Sequence, residues 1–152
     1  MKIETPRGTV EVEPGCDLSD AVLVGLNFSK MNLTKVDFSG SELSGANFSQ
    51  SNLRGATFLG ATCDHANFTH ANLFRTDLGE ANLRSAKFRH ATLRLADLSV
   101  ANLTQADLRY ASLRNANLWN ASLREANLTK CSLEYAILTD AGFHDAIFDD
   151  ED

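Results

Sequence analysis

Every fifth residue from Leu18 to Phe148 is Leu or Phe, with Cys63 the one exception. The residue two places before it is small or aliphatic, and is Ala in 19 of 27 cases. Residues 16–150 therefore divide into five-residue units with fixed apolar positions, and such a period decides architecture before any local preference does. Helices need apolar residues near a 3.6 period and simple strands a period of 2. Within each unit the two apolar residues are two apart, so an extended backbone points both to one side. The residue between them points out. The next two, mostly polar or Gly, must turn the chain so that the following pair again faces inward. The pattern predicts a tube of short extended sides joined by corners.

The sequence also sets the number of sides in one coil. At a spacing of 20 residues, Phe28, Phe48, Phe68 and Phe88 form one column, and Phe38 and Phe58 begin another. Leu33, Leu53, Leu73, Leu93, Leu113 and Leu133 fill a third. A spacing of 15 mixes Phe with Leu. Rings and branched chains pack best on their own shape, so four sides per coil and nearly seven coils are expected. Ala beside each corner leaves room for the turn. Asn or Asp next to it bonds to nearby backbone. Gly25, Gly40, Gly45, Gly55 and Gly60 stand where a corner needs positive φ.

The units Ala46-Asn47-Phe48-Ser49-Gln50, Ala81-Asn82-Leu83-Arg84-Ser85 and Ala101-Asn102-Leu103-Thr104-Gln105 resemble those of the pentapeptide-repeat family. The resemblance spans about nine tenths of the chain. It implies an all-β fold, a right-handed quadrilateral parallel β-helix, and the handedness rests on the resemblance alone. It also implies a range of roles. Most members have no assigned activity, some protect DNA gyrase by imitating the shape and charge of B-DNA, and others act in cyanobacterial development.

Residues 1–15 lie outside the repeat and read as an N-terminal capping segment, residues 16–150 as the β-helix, and residues 151–152 as an acidic end. Thr9-Val10-Glu11-Val12 alternates like a strand, and Pro14-Gly15 marks a turn. Val22 and Val24 are outward and apolar, which implies that something covers them. At the other end Ile137, Phe143, Ile147 and Phe148 suggest either a homodimer contact through the last coil or an edge guarded by the acids Asp149, Asp150, Glu151 and Asp152.

Charge changes the picture once it is sorted by side. The net charge of −6 favours solubility. The Leu18 side carries Asp17, Asp20, Asp37, Asp77, Glu80, Asp97 and Asp140 and no Lys or Arg. The Leu33 side carries Lys35, Arg54, Arg75, Arg94 and Arg114 against Glu134 alone. The Phe28 side is also largely basic, and the Leu23 side is mixed. Phe74, Leu95, Val100 and Trp119 are apolar at outward positions, expected near the corner that the basic and acidic sides share. Arg54, Arg75, Arg94, Arg114, Phe74, Leu95 and Trp119 are thus the candidate interaction surface. The bland alternative is a solvated surface with screened charges.

Little else points to chemistry. His70 and His90 stack at coil spacing with Tyr110 next, but two His do not make a four-ligand zinc site. No phosphate-binding Gly loop, HExxH or EF-hand pattern is present, and no Ser/His/carboxylate arrangement is recognisable. A rod without clefts offers small substrates no site. No catalytic residue, metal or cofactor is expected. Cys16, Cys63 and Cys131 fall on inward positions as buried free thiols, and with no membrane span or secretory signal a cytoplasmic setting is expected. The expected function is a non-catalytic protein-interaction or scaffold solenoid whose partner the sequence does not name. The alternative is a DNA-mimicking binder of gyrase or topoisomerase. The basic sides oppose that reading, and net acidity makes direct nucleic-acid binding unlikely on the sequence.

Overall fold

The computed structural model describes residues 1–5 and 8–149. Pro6 of the N-terminal segment and the terminal acids Asp150, Glu151 and Asp152 lie outside the described residues. The chain is a right-handed quadrilateral β-helix with four pentads per coil. Single-residue parallel bridges join positions twenty apart, from Asp17↔Asp37 through Asn72↔Thr92 to Asn127↔Ile147. Each side is so short that only one residue per pentad bridges to the next coil.

The backbone hydrogen bonds show why five residues suffice. Around Phe48, the Asn47 N–H donates to Leu26 O of the coil before at 2.9 Å, and the Phe48 N–H to Asn67 O of the coil after at 2.7 Å. The Gln50 N–H donates forward to Thr69 O at 2.9 Å, and the Ser51 N–H closes the turn onto Phe48 O at 3.1 Å. The remaining donor, the Ser49 N–H, is met by the Asn47 side-chain oxygen at 3.0 Å. All five N–H groups are then paired, which a closely wound backbone requires. The Asn/Asp preference follows from this geometry. The same bond recurs at Ser29–Asn27, Phe74–Asn72, Gly79–Asp77 and Trp119–Asn117.

Every corner position from Asp20 to Asp145 has φ between 53° and 67°. Five of these are the glycines that the sequence marks. The others are ordinary residues, including Leu95 and the β-branched Val100. The turn is of type II pattern, with positive φ at its third residue and an i to i+3 bond. Repetition of the coil bonds outweighs the local cost of that conformation for L-residues.

Inside, ladders fill the tube. Phe28, Phe48, Phe68 and Phe88 stack at 4.9–5.1 Å between ring centroids. Phe38 and Phe58 stack at 4.8 Å and meet that column edge-on at 5.5–5.8 Å. The inward Leu residues from Leu18 to Leu123 are fully buried. Hydroxyls at the small position are paired. Ser41 and Ser51 donate to Phe38 O and Phe48 O at 2.6 Å, and Thr76 to Leu53 O at 2.9 Å.

At the N-terminal end β1 (Lys2–Thr5) and β2 (Gly8–Glu11) form an antiparallel hairpin. Its Ile3, and Val12 just after it, are buried in the same core as Leu18. Val22 and Val24 are not covered by it and remain 67% and 53% exposed. The hairpin spends its apolar residues on the core instead of a side wall, which corrects the expectation that something sits on those two valines.

Candidate functional site

The rigid corners decide which side chains stand out together. At the turns that follow the Leu33 column, Arg54, Phe74, Arg94 and Arg114 succeed one another from coil to coil, with Arg75 and Leu95 beside them. The guanidinium carbons of Arg54 and Arg75 lie 5.0 and 5.2 Å from the centre of the Phe74 ring, within cation–π range. Leu95 is 44% exposed. Arg114 is paired with Glu134 at 2.9 Å, whereas among the described residues Arg54, Arg75 and Arg94 have no ion-pair partner. A basic, apolar-centred strip therefore runs along this corner.

Trp119 and Val100 do not join it. They occupy the turns at the far edge of the acidic wall, at 119–120 and 99–100, whereas Phe74 and Leu95 occupy those at 74–75 and 94–95. A full side separates the two corners, because each turn takes the two residues after its own inward residue. The single shared corner expected for these apolar residues is thus two. Leu59, not singled out in the sequence, belongs to the second corner and is 46% exposed.

Between the two corners lies the acidic wall. Its carboxylates have structural duties. Asp17, Asp37, Asp77 and Asp97 each accept a backbone N–H two residues on, at 2.8–2.9 Å. They do here what Asn does on other walls.

The Phe28 side carries the surface the sequence described least well. His70 stacks on His90 at 4.8 Å and 4°, and His90 on Tyr110 at 4.8 Å and 11°. Beside this ladder is an open groove of about 590 Å³ lined by Asn67, Thr69, His70, Lys87, Arg89, His90, Asp107 and Arg109. The expectation of a rod without clefts is corrected here: long Lys and Arg side chains rise around shorter Asn and Thr. Arg109 grips Asp107 through two bonds, Nε to Oδ1 at 2.8 Å and a terminal nitrogen to Oδ2 at 2.6 Å. Partial burial alone would raise the Asp107 carboxyl. The Arg109 hydrogen bonds and charge, with Arg89 adding, hold it below the usual range instead.

The remaining candidates are dispersed. Ile137 and Ile147 point off opposite walls and are 52% and 53% exposed. Phe143 and Phe148 face across the open last coil at 5.7 Å. The four do not form one patch. Asp149 Oδ1 accepts the Lys130 N–H at 3.0 Å, a place taken in earlier coils by the main-chain carbonyl nineteen residues on, as by Thr129 O for Tyr110. Cys63 is fully buried, and Cys16 and Cys131, in the end coils, are half-buried. Burial, with Asp64 adding, pushes the Cys63 thiol far up, and burial pushes Cys131 up to about 12. Among the described residues no group of three or more His, Cys, Asp or Glu is placed to hold a metal.

The description "Pentapeptide repeat region" fits residues 15–88, and "Pentapeptide repeats (8 copies)" fits residues 81–120, 101–140 and 111–150. The chain belongs to the pentapeptide-repeat family. Solved structures of pentapeptide-repeat proteins resemble it. A trypsin-treated form of QnrB1, a plasmid-mediated fluoroquinolone resistance protein, is 19% identical, with 93% of this chain and 87% of that one covered and a TM-score of 0.53. HetL, involved in heterocyst differentiation regulation in the cyanobacterium Nostoc sp., is 27% identical over 91% and 85% of the two chains, with a TM-score of 0.33. A protein of the Arabidopsis thaliana thylakoid lumen is 34% identical over 68% of each chain, with a TM-score of 0.37. No curated protein sequence matches significantly. Among the described residues no helix is long and apolar enough to cross a membrane.

Proposed function

We propose that this pentapeptide-repeat chain is a non-catalytic interaction solenoid that binds a protein partner along its basic corner. The observation that supports this most is Phe74, held outward under two unpaired arginines and next to exposed Leu95. Aromatic residues and Arg are enriched in the energetic centres of interfaces. A corner locked by coil bonds presents them with little ordering cost. Arg94, unpaired one coil on, selects an acidic partner. Trp119, across the acidic wall, serves a broad partner as a second anchor.

The test is a pull-down from the native host with wild type, Phe74→Ala, Trp119→Ala and Arg54→Glu/Arg94→Glu. The reading expects one partner to be lost from Phe74→Ala and from the charge-reversed variant. Retention by both removes the basic corner from consideration.

The acidic wall favours a second reading, a DNA-mimicking binder of gyrase. The likeness to QnrB1 shows the fold alone and does not add to it. Two features count against it: the basic Phe74 corner borders the wall along one edge, and Asp17, Asp37, Asp77 and Asp97 are explained by backbone bonding. Unchanged gyrase supercoiling with excess protein removes this reading.

A further inference from the structure

The groove on the Phe28 side is predominantly cationic. Lys87, Arg89 and Arg109 line it against one acid, Asp107. Arg109 already satisfies both oxygens of that carboxylate. Lys87 and Arg89 are left without an ion pair among the described residues. The Arg89 Nε is shut off from solvent and has no acceptor within reach. A buried donor on a cationic group left unpaired is costly, and a swing of the guanidinium toward an anion in the groove would relieve it.

The neighbouring ladder narrows the kind of anion. Both faces of His90 are covered, by His70 and Tyr110. The Lys130 ammonium lies over Tyr110, 5.6 Å from its centre. His90 therefore offers only its edge to a ligand, and a base cannot stack between the three rings as single-strand recognition requires. Imidazole edges, the Thr69 hydroxyl and the Asn67 amide supply further donors around the two free cations. Two uncompensated positive charges match a dianion.

We propose that this groove binds a phosphate-type oxyanion through Arg89 and Lys87, with Asn67, Thr69, His70 and His90 as flanking donors. The oxyanion is either free phosphate or a phosphomonoester, which carries about −1.5 to −2 charge at neutral pH. The site lies away from the Phe74 corner and stands or falls independently of the partner proposed there. Arg89 is the central residue, because its guanidinium gives paired donors in a fixed plane. Lys87 contributes mainly charge.

Calorimetric titration at low ionic strength with inorganic phosphate, and separately with a phosphoserine peptide, tests the site. Amide shifts read by NMR locate the binding. Saturable one-site binding is expected, with shifts at Thr69, His70, Lys87, Arg89 and His90. Arg89→Gln weakens it at least about tenfold, while Arg84→Gln, the same charge change on another wall, leaves it within about twofold. Tighter binding of the peptide than of phosphate assigns the source as an ester on a partner, and the reverse assigns free phosphate. Unchanged thermal melting of Arg89→Gln shows that the fold is intact. No saturable binding of either probe, shifts confined to other walls, or equal losses in Arg89→Gln and Arg84→Gln would each overturn the proposal.

Discussion

Phe48 and Phe68, twenty residues apart, stack with ring centroids 5.1 Å apart and planes 3° apart. The register of the whole tube is visible in that one pair, because a coil of three or five sides would bring different residues face to face. Phe48→Ala removes a ring that touches Phe28, Phe38, Phe58 and Phe68. A loss of about 3–5 kcal/mol is expected, while Phe48→Leu, the neighbouring columns' own residue, costs under about 1.5 kcal/mol. Denaturant unfolding compares the two, and equal losses would mean that the stacked ring itself, and not the apolar volume that Leu also supplies, carries the stabilisation.

Val100 stands at a corner with φ 61° and is 43% exposed. A β-branched residue is unfavourable there, and Asn tolerates the left-handed region well. Val100→Asn is expected to raise stability by about 1 kcal/mol. Val100→Gly gains less, since Gly also frees the unfolded chain. A fall in melting temperature for Val100→Asn would show that the valine side chain makes a contact worth more than the strain.

The architecture was almost wholly legible in the sequence because one steric rule repeats without a slip. Phe68 and Phe88 announce their stacking by spacing alone, and so do His70 and His90. The corners were legible only in part. Gly25 and Gly40 marked positive φ, but Lys30, Tyr110 and Val100 adopt it too, because cooperative coil bonds override local preference. The surface was least legible. Spacing sorts outward side chains onto walls, but the expectation of one shared corner for Trp119 and Phe74 overlooks that each turn follows its own inward residue, which sets the two at opposite edges of the acidic wall. Leu59 was missed at a position mostly filled by polar residues. The groove beside Arg89 depends on how long side chains pair, and the pairing of Arg109 with Asp107 is not written in any period.

Asn47 carries two bonds, accepting the Ser49 N–H at 3.0 Å and donating to Asn27 Oδ1 at 3.2 Å. Asn47→Ala should cost about 1–2 kcal/mol, chiefly by leaving the Ser49 N–H without its acceptor. Asn47→Asp keeps that acceptor and should cost less. Amide hydrogen exchange at Ser49 reads the effect locally, with faster exchange expected for the Ala variant alone.

The carboxyl of Asp107 is depressed in the folded protein. Such a group adds stability above its unfolded value, about 3.9, and the contribution fades as pH falls through the lower folded value. Wild type should therefore melt above Asp107→Asn at pH 7. The gap should narrow as pH drops below about 4. A constant gap at pH 7 and pH 3 would mean that the pair with Arg109 is not the source.

The measurement that bears most directly on the interaction corner is site-specific photocrosslinking to the native partner. A photoreactive residue replaces Leu95 on the basic corner in one variant and Gln105, on the corner diagonally across the tube, in another. The account predicts a covalent partner adduct from position 95, lost when Arg54→Glu/Arg94→Glu is added, and none from position 105. An adduct from 105 with none from 95 would contradict it.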